Sequence, residues 1–543
     1  MNIAIFNHYW TDFYTSKDRI NSYGILNYLK EIIDKRHNCL VFDTVKNYKK
    51  EIELPEELFY LKRYLKEDIT EYLFFNKYYQ FGDKKNFNHK ELINFKPDVI
   101  LVSSFAFCYF NGFKESIIYI KKIVKDAIII AGGSGASSNP IYYLENTPLD
   151  YVVIGPAEIS LNKLLDNIEK GKDSEIENVI SRKNIFSYKK DLNSIYYFSP
   201  FIIKINDRRV SLQLTRGCPE NCSYCSIKLI AGNKFLFSSI DDIKKSIDNL
   251  KVDNICHFCF EDDNITYKKE YFLEIVRYIK EKFKNSTFSL ENGVYWKTID
   301  LKYLKQLIKH GLNQLNLSLT SIDFNVLKNN KRDYSKEEFD EFLNLVENFS
   351  LPVIVYFICG LPFDTKDSIL ETLLYLASKK VIIGISPFYP VPNTEIEKVI
   401  KKALKPELCK GSSFYKWARI RTKSLITFFI ISRFINAIKK INFFDIENLK
   451  EIFSKIKITD FKIEGNNLSR RELTIIGIIY SIKSKKIFAI KNEKKYYLLE
   501  EYICDKSILR KFFKKILNEI DIYTDYGKIE PKKWKDLCKI LSQ

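Results

Sequence analysis

Short apolar runs rich in branched side chains, each followed by a stretch of helical periodicity, recur in two series along this chain. That alternation constrains the fold more than any other feature. In the first series, Ile3–Phe6, Cys39–Phe42, Val99–Ser103, Ala127–Ile130 and Tyr151–Ile154 read as strands, with a helical stretch over Tyr23–Ile33. Runs that are apolar on both faces must be covered on both faces, which is the pattern of parallel strands in a doubly wound α/β sheet. An aromatic, charged insertion, Lys46–Lys90, interrupts the series and carries no readable role. Ser181–Pro200 reads as a linker. The second series places strands at Ser211–Leu214, Ile255–Phe260, Thr287–Leu290, Gln314–Leu319, Val353–Ile358 and Ile382–Ser386. Helical patterns intervene, such as Ile240–Leu250, Tyr271–Lys282 and Leu301–His310. Six β/α units predict a partial (β/α)6 barrel rather than a closed eightfold one. After Ile400, Lys-rich helical patterns dominate, with a small hairpin at Ile487–Leu498. The expected organisation is an α/β domain over 1–180, a linker and partial barrel over 181–400, and a mainly helical domain over 401–543 that recruits or covers a substrate.

Composition narrows the class. With 46% hydrophobic and 29% charged residues, the 543-residue chain is globular and long enough for two to four cores. The net charge of +19 comes mainly from Lys, in a composition also rich in Ile and Asn. It reads as a solvated lysine surface from an AT-rich genome; the alternative is attraction to nucleic acid, a membrane surface or an acidic peptide leader. No recognisable nucleic-acid module accompanies the charge. The opening MNIAIFNHYW lacks the basic start and apolar run of a signal peptide. Charged residues break every apolar stretch short of a bilayer, the longest candidate being Leu425–Ile431, so no transmembrane segment is expected. A cytoplasmic protein is the expectation, and eleven Cys in so large a chain are not a secreted disulfide framework.

Three of those cysteines cluster. Residues 214–226 read LTRGCPENCSYCS, a C-x3-C-x2-C spacing directly after a predicted strand. Three thiolates in eight residues suit one face of a cuboidal 4Fe-4S cluster, leaving one iron without a protein ligand. An open metal position is where a cofactor or substrate coordinates. Zinc is the competing reading, but a structural zinc site takes four ligands and no further partner has suitable spacing; inert thiols would not cluster. The triplet Cys218, Cys222 and Cys225, with Tyr224 before the last Cys, resembles the radical S-adenosylmethionine superfamily. The resemblance implies that the methionyl amine and carboxylate chelate the fourth iron, and that one electron cleaves the sulfonium to give a 5′-deoxyadenosyl radical.

Further matches follow in order. FEDDN at 260–264 resembles the acidic F-x-D-D turn of the cobalamin-binding branch, and at a strand end it lies on the catalytic face of a barrel. The resemblance places Glu261, Asp262 and Asp263 near the methionyl amine; a solvated acidic loop is the bland alternative. ENGV at 291–294, with Asn292, resembles an E-A-N-G segment. CGLPFDT at 359–365, with Gly360, resembles a G-L-P-x-E-T turn in which Asp364 replaces Glu. SPFYPVPNT at 386–394 resembles a P-x-P-G-T loop in which Asn393 replaces Gly. Each is weak alone, because Gly and Pro punctuate many loops. After Ser318, Thr320 stands where the branch has a Glu expected to touch S-adenosylmethionine, so that contact is lost or supplied differently. Cys256 and Cys259, three apart on a strand, point to opposite faces and read as core thiols rather than a redox pair. His257 and His310 read as structural.

The first unit carries a second set of matches. KPDVILVSS at 96–104, the Gly132–Gly133 strand end and DYVVIGPAE at 150–158 resemble the cobalamin-binding domain of the same enzymes. Glycines at strand ends admit close approach of a flat ring, and doubly wound sheets bind ligands outside the strand carboxyl ends. The resemblance assigns Ser103, Ser104, Gly132, Gly133, Ser134, Gly155, Pro156 and Glu158 to the corrin site, although Pro156 replaces the usual Glu. No D-x-H-x-x-G segment is present; His8 follows the first strand without that context. A domain that no longer binds a corrin is the bland alternative.

Together the resemblance covers about residues 1–400 and identifies a cobalamin-dependent radical S-adenosylmethionine enzyme. It implies methylation of an unactivated carbon of a natural product, peptide or lipid, by way of a 5′-deoxyadenosyl radical and methylcobalamin, with an external electron donor such as flavodoxin or ferredoxin. The alternatives are radical cyclisation or rearrangement with the same cofactors, or a radical enzyme without cobalamin. A methylthiotransferase lacks support because the N-terminal half has no trio of cluster cysteines.

Overall fold

Each predicted strand is present, with ends within two residues of those read from the sequence. The computed structural model describes residues 1–13, 23–70, 72, 77–195, 197–206, 208–250, 255–459, 462–465, 467–499 and 503–540. The chain divides into two compact units. One comprises Met1–Glu53, Tyr78–Asn316 and Pro390–Lys410; the other comprises Leu54–Lys77, Leu317–Tyr389 and Gly411–Gln543.

The first unit begins with β1 (Asn2–Phe6), β2 (Trp10–Asp12), β3 (Asn38–Phe42), β4 (Lys49–Ile52), β5 (Tyr78–Phe81), β6 (Val99–Ser103), β7 (Ile128–Gly132), β8 (Tyr151–Val153) and β9 (Val179–Ser181). Six of these form a sheet in the order β3-β1-β6-β7-β8-β9, parallel except for β9. Ile3, Ile5, Val99, Leu101, Ile130 and Val153 pack on one face against Leu26, Leu161 and Leu165. Ala4, Phe6, Ile100, Val102, Ile129 and Ala131 of the same strands are also fully buried. Both faces are therefore covered, as a doubly wound sheet requires. The direction of winding changes between β1 and β6, which makes their carboxyl ends a ligand crevice. Part of the unreadable insertion belongs here, since β4 and β5 complete an antiparallel sheet with β2.

The unit continues with β10 (Phe201–Asn206), β11 (Arg209–Gln213), β12 (Thr215–Arg216), β13 (Leu236–Phe237), β14 (His257–Phe260), β15 (Thr287–Leu290) and β16 (Leu312–Ser318), the division between units falling inside β16. β11, β14, β15 and β16 run parallel, and β10 adds an antiparallel edge. Register puts Val210, Phe258 and Phe288 on one face, all buried. Arg209, His257 and Thr287, then Ser211, Cys259 and Ser289, occupy the other. One face is thus apolar and covered while the opposite face is polar.

The second unit holds β17 (Val353–Cys359) and β18 (Ile382–Pro387), which pair in parallel around the buried helix Lys366–Ala377. The helices Thr422–Lys439, Ile446–Ser454, Arg470–Ser484, Lys506–Asn518 and Pro531–Ile540 dominate its C-terminal part. Three hairpins separate them: β19 (Ile456–Thr459) with β20 (Lys462–Gly465), β21 (Phe488–Ile490) with β22 (Tyr496–Leu498), and β23 (Ile522–Thr524) with β24 (Gly527–Ile529). The apolar run Leu425–Ile431 lies within Thr422–Lys439, where Leu425, Phe428 and Ile431 are buried. Among the described residues, no helix is long and apolar enough to cross a membrane.

Candidate active site

The cysteine loop leaves β11 and is closed by the short antiparallel pair β12–β13. Its entry is backbone-limited. Gly217 has φ +95°, and a Cβ there would stand 2.3 Å from the Lys234 carbonyl oxygen, so only glycine fits. Cys225 N–H donates to Cys222 O at 3.2 Å, and the helix Ile227–Ala231 follows. The thiol of Cys218 is pushed up to about 11 and that of Cys225 to about 12, first by desolvation and then by negative charge from neighbouring thiolates and Asp263; Cys225 is nonetheless solvent-accessible. Cys222 raises the cost of ionising both Cys218 and Cys225, and Cys218 that of Cys225, which places the three within electrostatic reach. Bound iron would remove that repulsion, and a set of three thiols without a fourth ligand fits a 4Fe-4S cluster with one open iron.

The acidic turn after β14 grips this loop. Asp262 Oδ1 accepts from Leu214 N–H at 2.9 Å, Thr215 N–H at 2.6 Å and Thr215 Oγ1–H at 2.6 Å. Asp263 Oδ2 accepts from Gly217 N–H at 2.8 Å. Burial pushes Asp262 up to about 7 and Asp263 up to about 6, and Asp262 Oδ2 is buried with no partner among the described residues. The next strand ends continue the pattern. Asn292 Nδ2 donates to Glu261 O at 2.6 Å, and Asn316 Nδ2 donates to Glu291 O at 3.3 Å. Each strand-end side chain thus holds the backbone of the strand end before it. Asn316, wholly buried, was not singled out in the sequence; its only signal was a polar residue in the middle of an apolar strand.

The polar face behind these turns is internally paired. His257 bonds Thr287 Oγ1 and Ser289 Oγ at 2.8 Å each, Ser289 Oγ–H donates to Glu291 at 2.6 Å, and Arg209 donates to Cys259 Sγ at 3.2 Å.

Asn393 explains its own replacement of glycine. It sits at φ +64°, a left-handed conformation that Asn tolerates. Its Nδ2 donates to Ser138 O at 2.6 Å, and Ile396 N–H donates to Ser223 O at 3.1 Å in the cysteine loop.

At the carboxyl ends of the first sheet, Ser103, Gly132, Gly133 and Ser134 are half-buried. Gly133 has φ +89°, and a Cβ there would lie 2.6 Å from Ser104 O. Ser104 is wholly buried and its Oγ pairs with Tyr143 OH at 2.7 Å. Gly155, at φ +78°, donates its N–H to Ser137 Oγ, and the following Pro156 is buried. Glu158 is buried behind the crevice, accepting from Tyr28 OH and from Ser199 N–H, with Oε2 unpartnered among the described residues. His8 is buried at the end of β1; burial lowers its pKa to about 4, and Nδ1–H donates to Tyr9 O at 2.8 Å.

Ser318, Thr320 and Gly360 stand in the second unit except for the strand that carries Ser318, which begins in the first. Thr320 is buried and its N–H donates to Tyr334 OH at 2.9 Å. Gly360 has φ +87°. Asp364 Oδ2 accepts from Gly360 N–H at 2.8 Å and Leu361 N–H at 3.0 Å, and burial pushes it up to about 7. The shorter acid in place of Glu thus closes its own turn.

Comparison with known proteins agrees with this geometry. Residues 212–376 match the Radical SAM superfamily. The chain is 21% identical over 332 residues to an uncharacterized methyltransferase of Pyrococcus horikoshii, a match covering 56% of this chain and 70% of that protein. Its fold is similar to TsrM from Kitasatospora setae, a radical S-adenosylmethionine methyltransferase solved with cobalamin and a 4Fe-4S cluster, with a TM-score of 0.54, 15% identity and 74% of each chain covered. It is also similar to OxsB, a cobalamin-dependent S-adenosylmethionine radical enzyme, with a TM-score of 0.57 and 13% identity, covering 100% of this chain and 78% of that one. The stretch that carries the cysteine loop is therefore a radical S-adenosylmethionine domain. The fold of the chain is more particularly that of the cobalamin-dependent members.

Proposed function

We propose that this enzyme binds cobalamin beside its cluster and methylates an unactivated carbon of a natural product, peptide or lipid. One observation carries the reading. Within the first unit, the helix Ile227–Ala231 leaving the cysteine loop packs against Gly133–Ser138, and Ile230 O lies 2.8 Å from where a Cβ on Gly155 would stand. The cluster loop and the crevice of the first sheet are thus neighbours, and Asn393 and Ile396 tie both to one segment.

When bound, the cluster with S-adenosylmethionine supplies a carbon-centred radical, and the corrin supplies a methyl group. Cys218, Cys222 and Cys225 hold the cluster. Tyr224, Glu261 and Asn292 of the first unit are the proposed contacts to S-adenosylmethionine, while Asp262 and Asp263 fix the loop that presents it. Ser103, Gly132, Gly133, Ser134 and Gly155 line the corrin crevice, backed by Ser104, Pro156 and Glu158. A flavodoxin or ferredoxin supplies electrons, in the reducing cytoplasm that free thiols suit.

Anaerobic reconstitution with iron, sulfide and hydroxocobalamin tests this. About four irons and one corrin per chain are expected, with label from methyl-labelled S-adenosylmethionine appearing in a product. A protein that takes up iron but retains no corrin absorbance sinks the reading.

A further inference from the structure

The end of the chain holds nearly all of its net positive charge. Residues 401–543 contain 33 Lys and Arg against 16 Asp and Glu, whereas residues 1–400 contain 54 against 52, so +17 of the net +19 lies in the last 143 residues. A genomic lysine bias acts on the whole chain alike and does not produce such a split. A surface shaped for an anionic partner does.

The second unit displays part of that charge on two packed helices. Lys506–Asn518 buries Ile508, Phe512 and Ile516 and exposes Lys506, Arg510 and Lys514, one turn apart. Pro531–Ile540 buries Trp534 and Leu537 and exposes Lys532, Lys535 and Lys539 on the opposite side. The two helices pack against each other, and the second also packs on Arg470–Ser484, where Lys483 acts on the Cys538 thiol. Lys511 and Lys515, on the flank of the first helix, are ion-paired with Asp367 and Glu519. The six outward cations have no ion-pair partner among the described residues. No exposed, described position of either helix carries an apolar side chain.

We propose that these two helices bind the phosphate backbone of a double-stranded or folded nucleic acid. Ammonium groups repeated at one-turn spacing neutralise phosphates without reading bases. An interfacial helix that inserts into a bilayer also presents Trp, Phe or Leu, and strand-addition or helix-in-groove recognition of a peptide uses a free strand edge or an apolar groove. Single strands are held by stacking on aromatic rings. The exposed sides of these helices offer only charge. The partner stands apart from the methylation reading and does not depend on it.

Fluorescence anisotropy of the full-length, anaerobically reconstituted protein with a labelled RNA hairpin and a labelled DNA duplex of arbitrary sequence tests the proposal. Affinity should fall with salt at a log–log slope of about −3 to −5. Replacing Lys532, Lys535 and Lys539 together by Gln should weaken binding about tenfold or more and flatten the slope by about 2 to 3. Replacing the exposed Lys125, Lys172 and Lys284 by Gln should change neither. Iron content and circular dichroism should match the parent in both variants. Absence of binding at low salt overturns the proposal. So do equal losses in the two triple variants, or tighter binding to phosphatidylserine vesicles or to poly-glutamate than to either nucleic acid.

Discussion

Side chains that match a binding motif here spend their polar atoms on the backbone around them. Asp364 is the clearest case, and it yields a pH prediction. It sits at 6% exposure with Oδ2 on two backbone N–H groups, and burial pushes it from 3.8 up to about 7. The folded state therefore binds a proton there that the unfolded state has released. The stability this provides is complete below about pH 4 and is lost as the pH rises to 7. Asn keeps an acceptor for the two N–H groups but does not titrate. Between pH 5 and 7 the wild type should lose about 2–3 kcal/mol relative to Asp364→Asn. Urea melts of both proteins across that range measure the difference, and parallel pH dependences would refute it. The sequence made the cysteine triplet readable because three thiols in eight residues have few uses. It also flagged Asn393, whose φ of +64° accounts for Asn in a glycine position. It left Asp262 and Asp263 ambiguous, because a carboxylate at a strand end serves a ligand or a neighbouring backbone equally well until its direction is known.

At the scale of elements, alternation served well where a helix follows a strand. It missed β9 and β10, antiparallel edge strands that no α-helix follows before the next strand. It also missed how helix ends are finished. The carbonyls after Lys366–Ala377 find their donor far away in sequence. Lys439 is buried at 4% exposure, and its Nζ donates to Leu376 O at 2.9 Å, Lys379 O at 2.6 Å and Val381 O at 2.9 Å. A cation at a helix C-terminus also complements the helix dipole. Lys439→Met keeps the stem but strips three buried acceptors of their donor, at a cost of about 2–3 kcal/mol. Thermal denaturation should show a lowered transition. An unchanged one would mean that water replaces the ammonium.

For the whole molecule, the division of the chain explains why the insertion was illegible. Residues 54–77 belong to a unit whose other segments begin more than two hundred residues later, at Leu317 and Gly411. Their contacts are made there. Ile69 N–H donates to Ile490 O at 2.8 Å, Asp68 Oδ1 accepts from Ile490 N–H at 3.1 Å, Tyr60 OH donates to Ser413 O at 2.7 Å, and Tyr72 OH donates to Phe488 O. No local periodicity encodes such partners. Tyr72 and Leu58 are wholly buried, so removing 411–543 deprives an apolar, hydrogen-bonded segment near the N-terminus of its cover. Stripped of those partners, residues 54–77 expose aromatic surface and unpaired backbone groups, a combination that favours aggregation over folding. A chain ending at Lys410 should therefore express as insoluble protein, or show no cooperative thermal transition, although it retains all three cluster cysteines. Tyr72→Phe in the full chain isolates one contact of the set and should cost about 1 kcal/mol. A soluble 1–410 chain that melts sharply and takes up its full complement of iron would show that the contacts of 54–77 with 411–543 are dispensable to folding.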